Sequence, residues 1–298
     1  MKLLRRLCVL ALVALLGMPA AAGVIGPDAL RARHTALTPQ LAANAYGRPL
    51  VLQSEEVGRR SEGDIYAVLD HPFDQVSTAL RDPAQWCEVL ILHLNTKHCR
   101  IADDAAGPRV DVWVGKKVEQ AVQSATQLKF AWHARPARPD YFAIEMDAPE
   151  GPFATRDYRI FAEAVPLEGG QTFLHMGYAF GYGAAGSVAM NLYLGTIGRD
   201  KIGFTLELDP RNEQRVPIGG MRGLVERNTM RYYLAIDAYL ASLKAPPDRQ
   251  LEARLQAWFD ATERYPRQLH EVERDAYLRM KRTEVQRQVA AQRQAEAR

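Results

Sequence analysis

The sequence predicts an α+β fold, with a curved antiparallel sheet of about seven strands wrapped on one long helix and a helical tail after it. Three observations predict it. From His93 onward, hydrophobicity alternates with a period of two through segments near 94–102, 109–117, 127–135, 140–147, 153–164 and 171–181. The breaks between them, at 103–108, 136–139, 149–152 and 169–170, are short and rich in turn residues, which favours an antiparallel meander. Residues 220–243 then repeat Val225, Tyr232, Ala235, Ile236, Tyr239 and Leu243 at helical spacing, the apolar face needed to cover one side of that sheet.

Residues 1–22 read as a secretory signal peptide. Lys2, Arg5 and Arg6 form a positive start, 7–16 are apolar, and Ala20, Ala21 and Ala22 offer small residues for cleavage near Ala22. The apolar run is too short to span a bilayer, and Cys8 lies inside it rather than after it, where a lipidated cysteine would stand. A bacterial periplasmic protein is therefore expected. The full chain has 38 Lys+Arg against 35 Asp+Glu, and the whole excess of three sits in this segment. The mature chain is charge-balanced, so no basic surface points to nucleic acid. No later segment is apolar for long enough to cross a membrane.

Residues 23–62 are polar and mixed, with a helical patch at 39–46, and read as an N-terminal extension. A strand follows at 64–69. Pro72 opens a short helix to Leu80, and Asp82-Pro83 opens a second, with Asp82 as N-cap, that carries Trp86, Val89 and Leu90. In the strands, Val110, Val112 and Val114 share one face with Leu128, Phe130 and Trp132, with Phe142, Ile144 and Met146, and with Leu174, Met176, Tyr178 and Phe180. Trp113 falls on the opposite face with no reason evident in the sequence. Cys87 and Cys99 stand twelve apart, and in an oxidising compartment they suggest a disulfide. With His93 and His98 they could instead bind a metal, although the spacing matches no common zinc module, or they could remain free thiols.

This order of one strand, two short helices, six strands and one long helix resembles the helix-grip fold of the START-like (SRPBCC) superfamily, which includes START lipid-transfer domains, Bet v 1 proteins and polyketide cyclases. The likeness is best at VLDHPFDQVSTALRDPAQW, 68–86, and at ERNTMRYYLAIDAYLASL, 226–243, and it covers roughly 60–245. It implies a START-like domain over 63–245, with a lid or insertion at 181–218 and a closing helix at 220–243. The remaining 246–298 form a charged tail, whose last 51 residues hold 20 charges and the stripe Leu251, Leu255, Trp258 and Phe259, best read as helices packed on the domain.

Catalytic motifs are weak. The run 181–186 fits G-x-G-x-x-G but follows a strand in an antiparallel setting, so it reads as a hinge. His270-Glu271 begins like a zinc-protease helix, yet Arg274 replaces the second histidine. No cofactor and no metal are expected. The candidate ligand site is the apolar side of the sheet, with Trp86, Phe130, Trp132 and Met176 as walls. Arg156, Tyr158, Tyr178, Asn228 and Tyr232 are its polar groups. Arg156 alternates with Tyr158 and so is expected to point inward, toward a ligand carboxylate or phosphate or toward Glu226. The leading expectation is a periplasmic protein that binds, or binds and transports, a lipid or other hydrophobic small molecule. The alternatives are a cyclase- or hydrolase-type enzyme on the same fold, or an envelope interaction protein that docks a partner through its tail. His133 and His175 both fall on the outer face, which leaves the enzyme without an inward acid–base pair.

Overall fold

The computed structural model describes residues 23–297 apart from 106, 185, 189–191 and 193–199. The signal segment 1–22 and part of the predicted lid lie outside the described residues. Helix α1 (Pro27–Ala42) starts on Pro27, whose fixed φ suits a first helical position, and buries Leu30, Leu37 and Leu41 on one stripe. Strands β1 (Leu50–Val57) and β2 (Arg60–Leu69) form a hairpin. Two short helices follow, α2 (Phe73–Leu80) and α3 (Pro83–Leu90), and Asp82 caps α3 by accepting from the Ala84 amide at 2.9 Å. Strands β3 (Thr96–Asp104), β4 (Gly107–Val114), β5 (Thr126–Ala134), β6 (Phe142–Glu150), β7 (Thr155–Pro166) and β8 (Thr172–Tyr182) complete the sheet.

The eight strands pair antiparallel in the order β1-β2-β8-β7-β6-β5-β4-β3. The meander predicted from the alternation is there, and β2 closes it beside β8. Helix α4 (Gly220–Ser242) packs on the inner face against β1, β2 and β8. It comes close because Gly63 has no side chain: a Cβ there would lie 2.5 Å from Thr229 Oγ1. This is the helix-grip arrangement. A small hairpin, β9 (Leu206–Leu208) and β10 (Arg215–Pro217), precedes α4. Glu226 holds the approach to it, accepting from the amides of Phe204 and Thr205 and from the Ser54 hydroxyl.

Two expectations need revising. The stretch 23–62 was expected to be an extension, but it supplies an edge strand, which makes eight strands rather than about seven. The strand LVLQSEEV is buried only over its first half, so its alternation fades into polar residues. The helical patch expected at 39–46 belongs to a helix that ends at Ala42. That helix covers the outer face with a second apolar cluster of Leu30, Leu37, Val51, Tyr66, Tyr141, Val165 and Phe173. Each such fully buried side chain stabilises the fold by roughly 1.5–3 kcal/mol.

The tail forms α5 (Pro247–Thr262), the single turn α6 (Pro266–Leu269) and α7 (Arg274–Glu296). Its apolar stripe faces the domain: Leu255, Trp258 and Tyr277 are buried, and the Trp258 indole donates to the Arg231 carbonyl at 3.1 Å. Helix α7 also covers the edge strand β3, where the Gln288 side chain accepts from the Cys99 amide at 2.9 Å. Cys87 and Cys99 form a disulfide joining α3 to β3, with Cα atoms 5.3 Å apart. Trp113 lies on the outer face, as the alternation predicts, between Arg100 and His98. Among the described residues no helix is long and apolar enough to cross a membrane.

Candidate functional site

The inner face is apolar along most of its length. Trp86, Phe130, Trp132 and Met176 are packed into the core, and the one polar atom of Trp86 donates to the Leu80 carbonyl at 2.8 Å. The predicted walls are therefore buried core residues, with Trp86 edge-on to Trp132 at 6.3 Å.

The polar groups gather at one place. Asn228 and Tyr232 stand one helical turn apart on α4, so they share the face turned to the sheet. Strand β8 brings Tyr178 to within 5.3 Å of the Tyr232 ring, and β7 brings Tyr158 to 6.2 Å from Tyr178. The Tyr178 hydroxyl faces Asn228 and Tyr158, and burial pushes its pKa far above the ordinary value, so it stays neutral. The Tyr158 hydroxyl lies 2.7 Å from Thr155 Oγ1. Asn228 and Tyr232 are only half-buried, although both contact the inner face. Accessible surface remains beside them.

Arg156 is the exception. It points outward, exposed and beside Asp157 at 3.3 Å. The sheet carries an irregularity between Arg156 and Arg159, with Asp157 at φ 51°, and the extra residue breaks the alternation that would have put Arg156 and Tyr158 on one face. Glu226 is likewise occupied by the amides near β9 and takes no part in such a pair.

His93 completes the cluster. It was weighed in the sequence only as a metal ligand, but it sits in the turn after α3, buried, with its ring stacked 5.0 Å from Tyr232. The backbone N–H of Asn95 donates to His93 Nδ1 at 3.2 Å, which places the proton of the neutral ring on Nε2. Nε2 has no hydrogen-bond partner of full geometry, although the Asn228 side chain approaches it. Burial holds the His93 pKa well below the ordinary value, and the positive charges of Arg231, Lys281 and Lys117 lower it further.

Those cations belong to a set the sequence did not reveal. Glu271 accepts from Lys117, from Arg231 at 2.9 Å and from Lys201 at 3.0 Å. Burial opposes its charge, yet Arg231 and Lys117 pull its pKa down to about 2. Beside it, Glu284 holds two fully buried lysines, Lys97 at 2.9 Å and Lys281 at 2.7 Å. Lys281 also donates to the carbonyls of His93 and Thr96. Burial lowers Lys117 and Lys281 to about 8. Isolated lysines on β4–β5, the hairpin approach and α7 carry no periodic signal. Glu271 did stand in the HEVER run, which a protease motif alone could not explain. Among the described residues no group of three or more His, Cys, Asp or Glu is placed to hold a metal ion.

No family model and no curated protein sequence matches the chain. Solved structures similar to it include a START superfamily protein from Mycobacterium smegmatis, 14% identical over 48% of this chain and 93% of that one, at a TM-score of 0.30. Human StAR-related lipid transfer protein 5 is 11% identical over 58% and 91%, at 0.29. Norcoclaurine synthase from Thalictrum flavum is 12% identical over 50% and 82%, at 0.30. Identities this low bear on fold alone, and overlaps of this size add no argument of their own. The strand order and the seat of α4 give the class: a START-like helix-grip fold.

Proposed function

We propose that the mature chain binds a hydrophobic small molecule, such as a lipid, between the curved sheet and α4, and that it does so in the periplasm. One observation carries the binding reading. On an otherwise buried apolar face, Asn228 and Tyr232 are only half-buried, and Tyr232 stands beside Tyr178 and His93. An apolar space with a few convergent polar groups has the make-up of a ligand pocket, in which burial drives binding and the polar groups orient the head. The signal-like segment and the buried Cys87–Cys99 disulfide support an oxidising compartment outside the cytoplasm. Residues 23–298, purified without denaturant, should release a hydrophobic compound on extraction, detected by mass spectrometry, and should take up 1-decanol after delipidation. Absence of both ends this reading. Asn228→Trp, which fills the space, should lower uptake at least tenfold while the protein remains folded by circular dichroism.

A second reading, a cyclase- or hydrolase-type enzyme on the same scaffold, gains from His93. It is an inward histidine whose ring stacks beside Tyr232 and whose Nε2–H faces Asn228, the inward proton donor that the alternation does not place. Recovery of the extracted compound unchanged after incubation supports binding. Conversion that stops in His93→Gln supports the enzyme. The tail's apolar stripe is buried against α4, which leaves the docking reading without that surface.

A further inference from the structure

We infer that the β4–β5 connection, residues 115–125, is a lid at the His93 end of the interior, and that the tail is its latch. The inference rests on the binding reading above and adds how the molecule enters. Not one residue of the connection is buried, and Val118 within it is 56% exposed. Its regular structure is a single turn at Val122–Ser124. A segment with so little buried contact opens at far lower cost than the strands that carry it. Its first residue is tied to the turn that holds His93. Gly115 donates to the Asn95 carbonyl at 2.7 Å and accepts from the Asn95 side-chain amide at 2.6 Å, and the Asn95 backbone donates to His93 Nδ1. The loop then turns back on itself, with the Lys116 N–H donating to Gln120 Oε1 at 2.8 Å.

Beyond this anchor the loop meets the tail across a gap. A groove of about 230 Å³ has Lys117, Val118 and Glu119 on the loop side and Val272, Ala276 and Met280 on the tail side. Ion pairs bridge it: Lys117 with Glu271, and Glu119 with Arg287 at 2.8 Å, while Arg287 also donates to the Gln120 carbonyl at 3.4 Å. The Glu119–Arg287 pair is half-exposed on both sides, so salt screens it and it is weak enough to be made and broken. The inner pair reaches the site. Glu271 also accepts from Arg231 at 2.9 Å, and Arg231 donates to Asn228 Oδ1 at 3.5 Å. Release of Lys117 is therefore felt at Asn228, one helical turn from Tyr232. The tail itself is fixed by the burial of Leu255, Trp258 and Tyr277, which leaves the loop as the part that moves.

The test locks the lid. Val118→Cys with Ala276→Cys puts one thiol on each side of the groove. Cys87 and Cys99 are buried and bonded to each other, so a bismaleimide joins only the new pair. Delipidated residues 23–298 carrying both substitutions are offered 1-decanol. Cross-linking before loading should slow uptake roughly tenfold or more, and cross-linking after loading should slow release by a similar factor. In the otherwise unaltered chain, Arg287→Glu should speed exchange severalfold at low salt, and Glu119→Arg with Arg287→Glu should restore the original rate. Rates untouched by the cross-link overturn the lid, and so does a loaded, cross-linked protein that sheds its decanol at once. An exchange rate indifferent to the charge reversal overturns the latch. No uptake by the chain without any cross-link overturns the binding reading itself.

Discussion

His93 and His175 are both buried, on opposite faces of the same sheet, and they live in opposite fields. His175 is held at 2.8 Å by Asp64 on one nitrogen and at 2.8 Å by Glu163 on the other. Glu163 is in turn satisfied by the Tyr141 hydroxyl and by the amides of Ile25 and Gly26. Burial disfavours a charged ring there, but the two carboxylates overcome it and raise the His175 pKa. His93 meets cations instead, and its pKa is lowered. The outer network closes on itself: each nitrogen of the ring has a partner, and it ties the start of the described chain to β7 and β8. The inner cluster leaves His93 Nε2 without a hydrogen-bond partner of full geometry. A polar network in which every member is satisfied rigidifies and specifies the fold.

The sharpest way to break the contrast is to remove the hub of the closed network. Glu163→Ala strips His175, Tyr141 and two backbone amides of a partner, and it should cost about 3–5 kcal/mol in urea denaturation, as loss of one partner of a buried ion pair does. A loss below about 1 kcal/mol would show that the network is not structural. Next in size, replacing Cys87 and Cys99 by serine frees the segment that carries His93, which lies between them. That should cost about 3 kcal/mol, the scale for closing a loop of this order, and it should also weaken 1-decanol uptake.

By contrast His93→Phe, an apolar ring of similar shape, should change stability by no more than about 1 kcal/mol. Its effect belongs in binding and in pH dependence. For His93 the unfolded chain gains a proton below about pH 6.5 and the folded chain does not, so its share of stability is lost as pH falls from 7 to 5. His93→Phe should flatten that part of the profile. His175 runs the other way: its share is full below its unfolded pKa and is lost as pH rises through the raised folded value. Imidazole titration by NMR should find the two histidines on opposite sides of the free value, and equal titration would erase the comparison. The smallest effect concerns Lys117, with a folded pKa of about 8. Between pH 8 and about 10.5 the unfolded chain holds the proton and the folded chain does not, so ligand-free stability should rise with pH there, less so in Lys117→Gln.

The strand meander, α3 with its Asp82 cap and the span of α4 were legible because each rests on a local period or a local turn signal. Inner and outer faces were legible for the same reason, down to Trp113 on the outside. Tyr158, Tyr178, Asn228 and Tyr232 were placed by that alternation, and the structure brings them together. Arg156 shows where the method stops. A single irregular residue inverts every face before it, and no residue type in TRDYR announces it. His93 stood in view, but with Cys87, Cys99 and His98 it suggested a metal rather than the edge of a ligand site.

By itself the sequence determined the elements from β2 through β8, the span of α4 and the apolar side of the sheet, because hydrophobic period and turn chemistry are properties of neighbouring residues. Only the tertiary structure decided which charges meet. Glu271 and Glu284 come from the tail, Lys97 and Lys117 from the two ends of the β3–β4 hairpin, Arg231 from α4 and Lys201 from the approach to β9. Contacts across separations of 40 to 187 residues leave no trace in any local pattern. The electrostatic character of the site is a sum over such contacts, and it exists only once the tail has folded back onto the sheet.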